Sequence, residues 1–345
     1  MSAHPNVLSL HGGGIRGVIP AVVLAEIERR TDRPASALFE LIAGTSTGGI
    51  LALALAKPDA DGRPEYSAAD LVELYAKDGH RIFSRSFWHQ VRALGNLVDE
   101  KYPSGPIDEV LAEYFGDVRL KDALTELLIP SYEIETRDPW FFRRRSAREK
   151  PEQYDFFMRE VARATSAAPT YFEPAKLPGD AEKPYWALVD GGVFANNPTM
   201  CALVDVLATD RDASPVCVSL GTGRLTRPLS YREAVGWGLV QWARPVIDVV
   251  FDGVADTVDY QARQLCRATE DTPEAYYLFQ TELTTANDDM DDASPENIES
   301  LRALGEQIVR RESARLDELC ERLLADGADY AATSSPSSGA VSSGS

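Results

Sequence analysis

The sequence predicts an α/β protein built on a mainly parallel sheet with helices on both of its faces. Three observations carry that reading. Short apolar runs bounded by turn residues recur at Val7–Leu10, Leu38–Ala43, Leu127–Glu133, Pro184–Asp190 and Val216–Leu220, as buried strands require. Stretches with apolar residues at helical spacing lie between several of them. Twice near the N-terminus an apolar run passes through a glycine-rich turn straight into a helix, the unit that a parallel sheet repeats.

Taken in order, Val7–Leu10 ends in a glycine cluster. Val18–Arg30 follows, with Val18, Val22, Val23, Leu24 and Ile27 at helical spacing. It closes on Arg29 and Arg30, where cations meet the partial negative charge of a helix C-terminus. Leu38–Ala43 is the second strand, followed by a Gly/Thr/Ser turn and a strongly apolar helix over Gly49–Ala56. Ser67–Phe83 and Ile107–Tyr114 read as surface helices. Helical periodicity resumes from Tyr231 to about Arg263, and Pro295–Leu324 is amphipathic. Residues 331–345 are uncharged and mostly Ser, Ala and Gly; they supply no apolar face and are expected to be disordered. No internal repeat and no Pro/Gly linker precedes that tail, so residues 1–330 read as one domain whose C-terminal helical part begins near residue 226.

At 345 residues the chain is long enough to bury a core without disulfides. Its 54 acidic residues outnumber the 35 basic ones, and the net charge of -19 excludes a general affinity for nucleic acid. The same charge opposes an anionic bilayer, except through a local basic patch. Cys201, Cys217, Cys266 and Cys320 are far apart and form no C-x-x-C pair, so they read as buried free thiols in a reducing compartment. No signal peptide is visible. The longest uncharged stretch, Leu41–Ala56, is shorter than the roughly 20 apolar residues of a membrane span. The expectation is a soluble, cytoplasmic protein.

Two turns carry chemistry. His11-Gly12-Gly13-Gly14-Ile15-Arg16-Gly17 presents backbone N–H groups at the start of a helix, where the dipole favours negative charge. Such a loop takes a phosphate or a developing oxyanion equally well. Gly12, Gly14 and Gly17 spell G-x-G-x-x-G, but the second strand runs into Gly44-Thr45-Ser46 where a dinucleotide site would place an acidic residue. Gly44-Thr45-Ser46-Thr47-Gly48 fits G-x-S-x-G, the strand-to-helix turn that exposes a nucleophilic serine. Its glycines are needed because side chains there would collide with the adjoining strand and helix.

A serine nucleophile needs a base. The chain has only four histidines, His4, His11, His80 and His89, and none lies late enough for the Ser–acid–His order of an α/β hydrolase. His11 adjoins the glycine loop, where it either approaches the site or packs against the loop; His80 and His89 fall in a basic and aromatic surface segment. The remaining candidates are carboxylates. Asp190-Gly191-Gly192 ends an apolar strand and leaves the Asp190 carboxyl uncrowded, although most Asp-Gly pairs are simple turns.

Together the GGGIRG, GTSTG and DGG segments at Gly12–Gly17, Gly44–Gly48 and Asp190–Gly192 resemble those of the patatin-like phospholipases. Supporting matches are Ala164–Phe172, Asn196-Asn197-Pro198, the SLGTG at Ser219–Gly223 and the DDAS-x-EN at Asp291–Asn297. Order and spacing agree from about Asn6 to about Leu324. The resemblance implies a three-layer α/β/α fold, with Ser46 as nucleophile, Asp190 as general base and an acyl-enzyme intermediate. It also implies an oxyanion hole from Gly12, Gly13 and Gly14, with Arg16, Gly17, Gly44, Gly48, Gly191 and Gly192 in support, and no metal or cofactor. A carboxylate is a weaker base than imidazole, so Asp190 should be desolvated and its pKa raised. The chain departs from the family in placing His11 where an acid or Asn is more common.

The implied substrate is a phospholipid or related lipid ester; transient contact with a membrane surface and self-association are left open. Trp237, Leu239, Trp242, Val246, Val250 and Phe251 either line a trough for the acyl chain or pack as core. Arg137, Arg143, Arg144, Arg145, Arg148 and Lys150, with Trp140, Phe141 and Phe142 among them, form either an anion site or a solvated hairpin. The acidic run Asp288–Asp292 lacks the EF-hand pattern. Two alternatives stand beside the hydrolase: an effector phospholipase that waits for an activator, and a non-enzymatic dinucleotide-binding module.

Overall fold

The computed structural model describes residues 4–83, 105–181, 183–226, 228–242, 245–266 and 275–333. Among the described residues eight strands form one sheet: β1 (Asn6–Leu10), β2 (Leu41–Gly44), β3 (Glu126–Glu133), β4 (Asp138–Arg143), β5 (Ala175–Pro178), β6 (Tyr185–Asp190), β7 (Val216–Leu220) and β8 (Tyr276–Phe279). The order is β5-β6-β3-β2-β1-β7-β8, with β4 also paired to β3. Strands β3, β2, β1, β7 and β8 are parallel neighbours, while β4, β6 and β5 join antiparallel. The first half of β3 pairs with β2 and its second half with β6, which sets Asp190 opposite Ser131.

The longer helices are α1 (Val18–Thr31), α2 (Thr47–Leu55), α3 (Ala68–Phe83), α4 (Pro106–Phe115), α5 (Met158–Thr165), α6 (Thr199–Thr209), α7 (Pro245–Leu265), α8 (Pro295–Arg311) and α9 (Ser313–Thr333). Side-chain alternation sorts them into layers. Leu8 and Leu10 of β1, Ile42 of β2 and Val218 of β7 belong to the larger core with α1 to α5, α8 and α9. Val7, Leu41, Ala43 and Cys217 point the other way, toward Ala202, Leu203 and Val206 of α6 and Ala262 of α7. The result is three layers, α/β/α.

Several expectations shift in place. Leu38 ends a short helix, Ala35–Leu38, so β2 begins at Leu41. Helix α9 runs to Thr333, and positions 334–345 of the expected tail lie outside the described residues, as does His89. The cysteines are free thiols; Cys217 and Cys320 are buried, Cys201 and Cys266 half-buried. The cations at the end of β4 and just after it are spent on structure: Arg143 and Arg145 pair with Asp205, Arg144 pairs with Glu126, and the Arg148 guanidinium donates to the Lys121 carbonyl. Trp140 packs on Trp186, with ring centroids 4.3 Å apart. That segment ties the β3–β4 hairpin to α6 and leaves no open anion cradle among those four arginines. No helix among the described residues is long and apolar enough to cross a membrane.

The sign of one substitution tests how tightly α1 and α8 are packed. Replacing an exposed helical glycine by alanine gains about 1 kcal/mol from backbone entropy. Gly253 of α7 has open space where a Cβ would sit, but a Cβ on Gly305 of α8 would lie 2.8 Å from Val22 Cβ. Gly253→Ala is therefore expected to raise the urea midpoint and Gly305→Ala to lower it, with Gly305→Ala/Val22→Ala recovering part of the loss.

Candidate active site

The site forms where β1, β2 and β6 end. Between β2 and α2, Ser46 holds φ 57° and ψ -124°, a strained backbone for a side chain, and is only 7% exposed. The glycines around it are sterically required. A Cβ on Gly44 would sit 2.1 Å from the Gly48 carbonyl oxygen, and a Cβ on Gly48 would sit 2.3 Å from the Leu10 carbonyl oxygen at the end of β1. The Ser46 N–H donates to Thr165 Oγ1 at 3.0 Å, and that hydroxyl donates to the Pro130 carbonyl at 2.6 Å. The Thr45 hydroxyl donates to the Ala195 carbonyl at 2.6 Å. The elbow is thus clamped from α5, β3 and the loop after β6.

The glycine loop lies against it, with the Cβ position of Gly12 3.3 Å from Ser46 Cβ. Each of its first three glycines has a neighbour where a side chain would go: Asn196 at Gly12, Thr222 at Gly13 and Met290 at Gly14, which also has φ +59°. The Gly12 N–H donates to the Asn196 carbonyl at 2.9 Å, and the Gly12 carbonyl accepts from the Thr222 hydroxyl at 2.7 Å. That engages one of the three N–H groups expected to point at an oxyanion; those of Gly13 and Gly14 have no backbone acceptor among the described residues. Ile15 donates to the Met290 carbonyl at 3.0 Å. The acidic run positions that carbonyl, since Asn297 Nδ2 donates to the Asp292 carbonyl and the Ser294 N–H donates to Asp292 Oδ1.

Arg16 is buried and its Nε donates to the Gly13 carbonyl at 3.1 Å. Burial lowers its pKa, against which the Asp252 and Asp248 charges act. Arg16 Nη1 and Asn196 Oδ1 lack partners among the described residues, and both side chains line a cavity of about 130 Å³ that has room for ordered water. A Cβ on Gly17 would strike the Thr47 and Tyr75 hydroxyls, and one on Gly191 the Pro130 carbonyl. His11 is engaged by Ser219: its Nε2 hydrogen-bonds Ser219 Oγ at 2.8 Å, and Thr199 joins Ser219 to Ser9. Burial first and the Arg224 charge second push its pKa down to about 3, so His11 packs the loop as a neutral ring. His4 and His80 are exposed.

Asp190 ends β6 with no solvent exposure. Its Oδ1 accepts from the Gly192 N–H at 2.7 Å, while Oδ2 is buried without a hydrogen-bond partner among the described residues. Burial pushes the carboxyl up to about 7; the Gly192 N–H and the neighbouring Ser46 hydroxyl act in the opposite sense. A Cβ on Gly192 would meet the Phe251 ring of α7 at 2.8 Å, so that ring packs directly on the Asp190 turn. Among the described residues no cluster of His, Cys, Asp and Glu fits a metal ion. Thr165, Asn196 and Thr222 are supports whose roles the sequence did not disclose, although each lies in a segment that matched the family pattern.

The sequence profile of the patatin-like phospholipases matches residues 8–203. Patatin-like protein 4 of Arabidopsis thaliana is 32% identical, over 90% of this chain and 84% of its own. Patatin-like protein 2 of Oryza sativa subsp. indica is 32% identical, over 90% and 85%. A third relative, 31% identical over 88% of this chain and 86% of its own, is named Probable inactive patatin-3-Kuras 1, from Solanum tuberosum.

A carboxyl whose folded pKa stands above its unfolded value costs stability progressively from about pH 4, where the unfolded chain ionises, to about 7, where the folded group does, and the full cost persists above that. Asp190→Asn removes that cost. Its melting temperature should exceed the wild type's by several degrees at about pH 8 and by little at about pH 4.

Proposed function

Because the chain belongs to the patatin-like phospholipase family of lipid acyl hydrolases, we propose that it cleaves acyl esters of phospholipids or related lipids with Ser46 as nucleophile and Asp190 as its base. The observation that carries the reading is the Asp190 carboxylate: fully buried, with Oδ1 fixed by Gly192 and Oδ2 unpartnered, beside a serine on a strained elbow. A carboxyl held near 7 is matched to proton transfer at neutral pH in a way that an ordinary aspartate is not. His11, neutral and turned to Ser219, leaves Asp190 as the titrating base beside Ser46.

In the first half-reaction Ser46 Oγ bonds to the ester carbonyl carbon and its proton passes to Asp190. The Gly13 and Gly14 N–H groups receive the oxyanion, with Gly12 and Arg16 holding the loop in register. Collapse of the tetrahedral species breaks the bond to the leaving alcohol, which takes the proton from Asp190. In the second half-reaction Asp190 takes a proton from water, the hydroxide oxygen bonds to the acyl carbon, and the fatty acid departs as the proton returns to Ser46. The water-excluded setting strengthens each of these interactions.

Intact-mass analysis after fluorophosphonate treatment, paired with ester and phospholipid assays, tests this reading. Wild type is expected to take one adduct, and Ser46→Ala none with activity at background. Asp190→Asn should keep the fold and lose roughly a hundredfold or more in kcat, the range for a lost general base. An adduct on Ser46→Ala, or full activity in Asp190→Asn, would overturn the assignment.

A further inference from the structure

Between β7 and β8 the chain exposes an apolar stretch that the described residues leave uncovered. Tyr231 is 82% exposed, Val235 67%, Leu239 92%, Val240 87%, Val246 40% and Val249 48%. Trp237 and Trp242 stack edge to face with centroids 5.2 Å apart, and Trp242 is itself 37% exposed. The stretch is neither core nor a buried trough: of the six residues that the periodicity singled out here, only Phe251 is buried. Phe251 is also the anchor, with its ring on Gly192 and its carbonyl accepting from Asn196 Nδ2 at 3.5 Å. The exposed face thus starts one residue from a side chain that touches the Asp190 turn. Globular domains seldom leave contiguous apolar surface of this kind uncovered without a use for it.

Charge decides what fits. Residues 231–250 carry two basic groups, Arg232 and Arg244, which Glu233 and Asp248 balance, in a chain of net charge -19. The basic segment after β4 offers no compensation, since Arg143, Arg144 and Arg145 are paired to carboxylates. The net charge of the chain opposes an anionic surface and this face adds no net positive charge to offset it, whereas an uncharged or zwitterionic surface accepts its aliphatic and aromatic side chains without an electrostatic penalty. We propose that the exposed apolar face of residues 231–250 docks the protein on lipid surfaces, and that it selects zwitterionic or uncharged surfaces over anionic ones. The inference rests on the reading of the substrate as a lipid ester, because such esters reside in aggregates.

Ser46→Ala protein, which cannot be acylated at that position, isolates docking from catalysis. Co-sedimentation with phosphatidylcholine vesicles should show binding that weakens when phosphatidylglycerol is mixed in. Adding Leu239→Ser, Val240→Ser and Val249→Ser should weaken binding to phosphatidylcholine roughly tenfold or more, since each residue loses the burial of an aliphatic side chain. The melting temperature should stay unchanged because these positions are exposed. Equal vesicle binding by this variant, or tighter binding to vesicles containing phosphatidylglycerol, overturns the proposal. So does sedimentation velocity showing a dimer that the variant dissociates while neither protein binds vesicles, which would make the face an interface between copies. Failure here leaves the fluorophosphonate result at Ser46 standing, and failure there leaves vesicle binding standing.

Discussion

The close approach of Gly48 to the end of β1 is the constraint on which the rest of the site depends. With only a hydrogen between its Cα and the Leu10 carbonyl, α2 starts against the strand, and the chain before it folds back through Ser46 at positive φ. That strain persists because the surroundings over-determine it: Thr165 holds the Ser46 N–H, Ala195 holds Thr45, and the apolar α2 is buried along its full length. The same closeness brings the glycine loop after β1 to the serine, so one steric requirement fixes both the hydroxyl and the amides around it.

The second element is a carboxyl kept from water. Asp190 arrives from β6, which turns antiparallel to β3 and departs from the parallel core at the place where the site is built. Phe251 and the Gly191-Gly192 turn close the space around it. Desolvation raises its pKa, and the missing partner on Oδ2 keeps that oxygen available, so the protein carries a stability cost in exchange for basicity at neutral pH. His11 shows the opposite use of burial: hydrogen-bonded to Ser219, it has its pKa pushed down to about 3 and packs the loop as a neutral ring.

Much of this was legible in the sequence, for reasons of range. The apolar runs around Val7, Leu127 and Val216 read as strands because burial on both faces demands them, and the G-x-S-x-G glycines announce a local steric problem that the structure confirms at Gly44 and Gly48. Eliminating histidine pointed to a carboxylate. Strands β4, β5 and β8 were not legible: the aromatics of β4 and the arginines beside them read as a charged segment, and β5 and β8 are four-residue runs without the G-x-S-x-G turn that marks the equally short β2. Thr165, Asn196 and Thr222 act on residues 119, 184 and 210 positions away, and no local signal marks such contacts. The engagement of the Gly12 N–H by Asn196 was invisible for the same reason. Helical periodicity from Tyr231 onward corresponds to helices over Tyr231–Ala234, Leu239–Trp242 and Pro245–Leu265, but periodicity says nothing about whether the apolar side is covered, and here most of it is exposed.

The central claim is that Asp190 deprotonates Ser46, and the pH dependence of fluorophosphonate labelling measures it most directly. The account predicts that the wild-type labelling rate rises roughly tenfold per pH unit below a midpoint near 7 and levels above it, the titration of one carboxylate held at about 7. In Asp190→Asn the rate should be low and lack that midpoint. A wild-type profile with no inflection near 7, or an Asp190→Asn profile that keeps the same midpoint and rate, would contradict it.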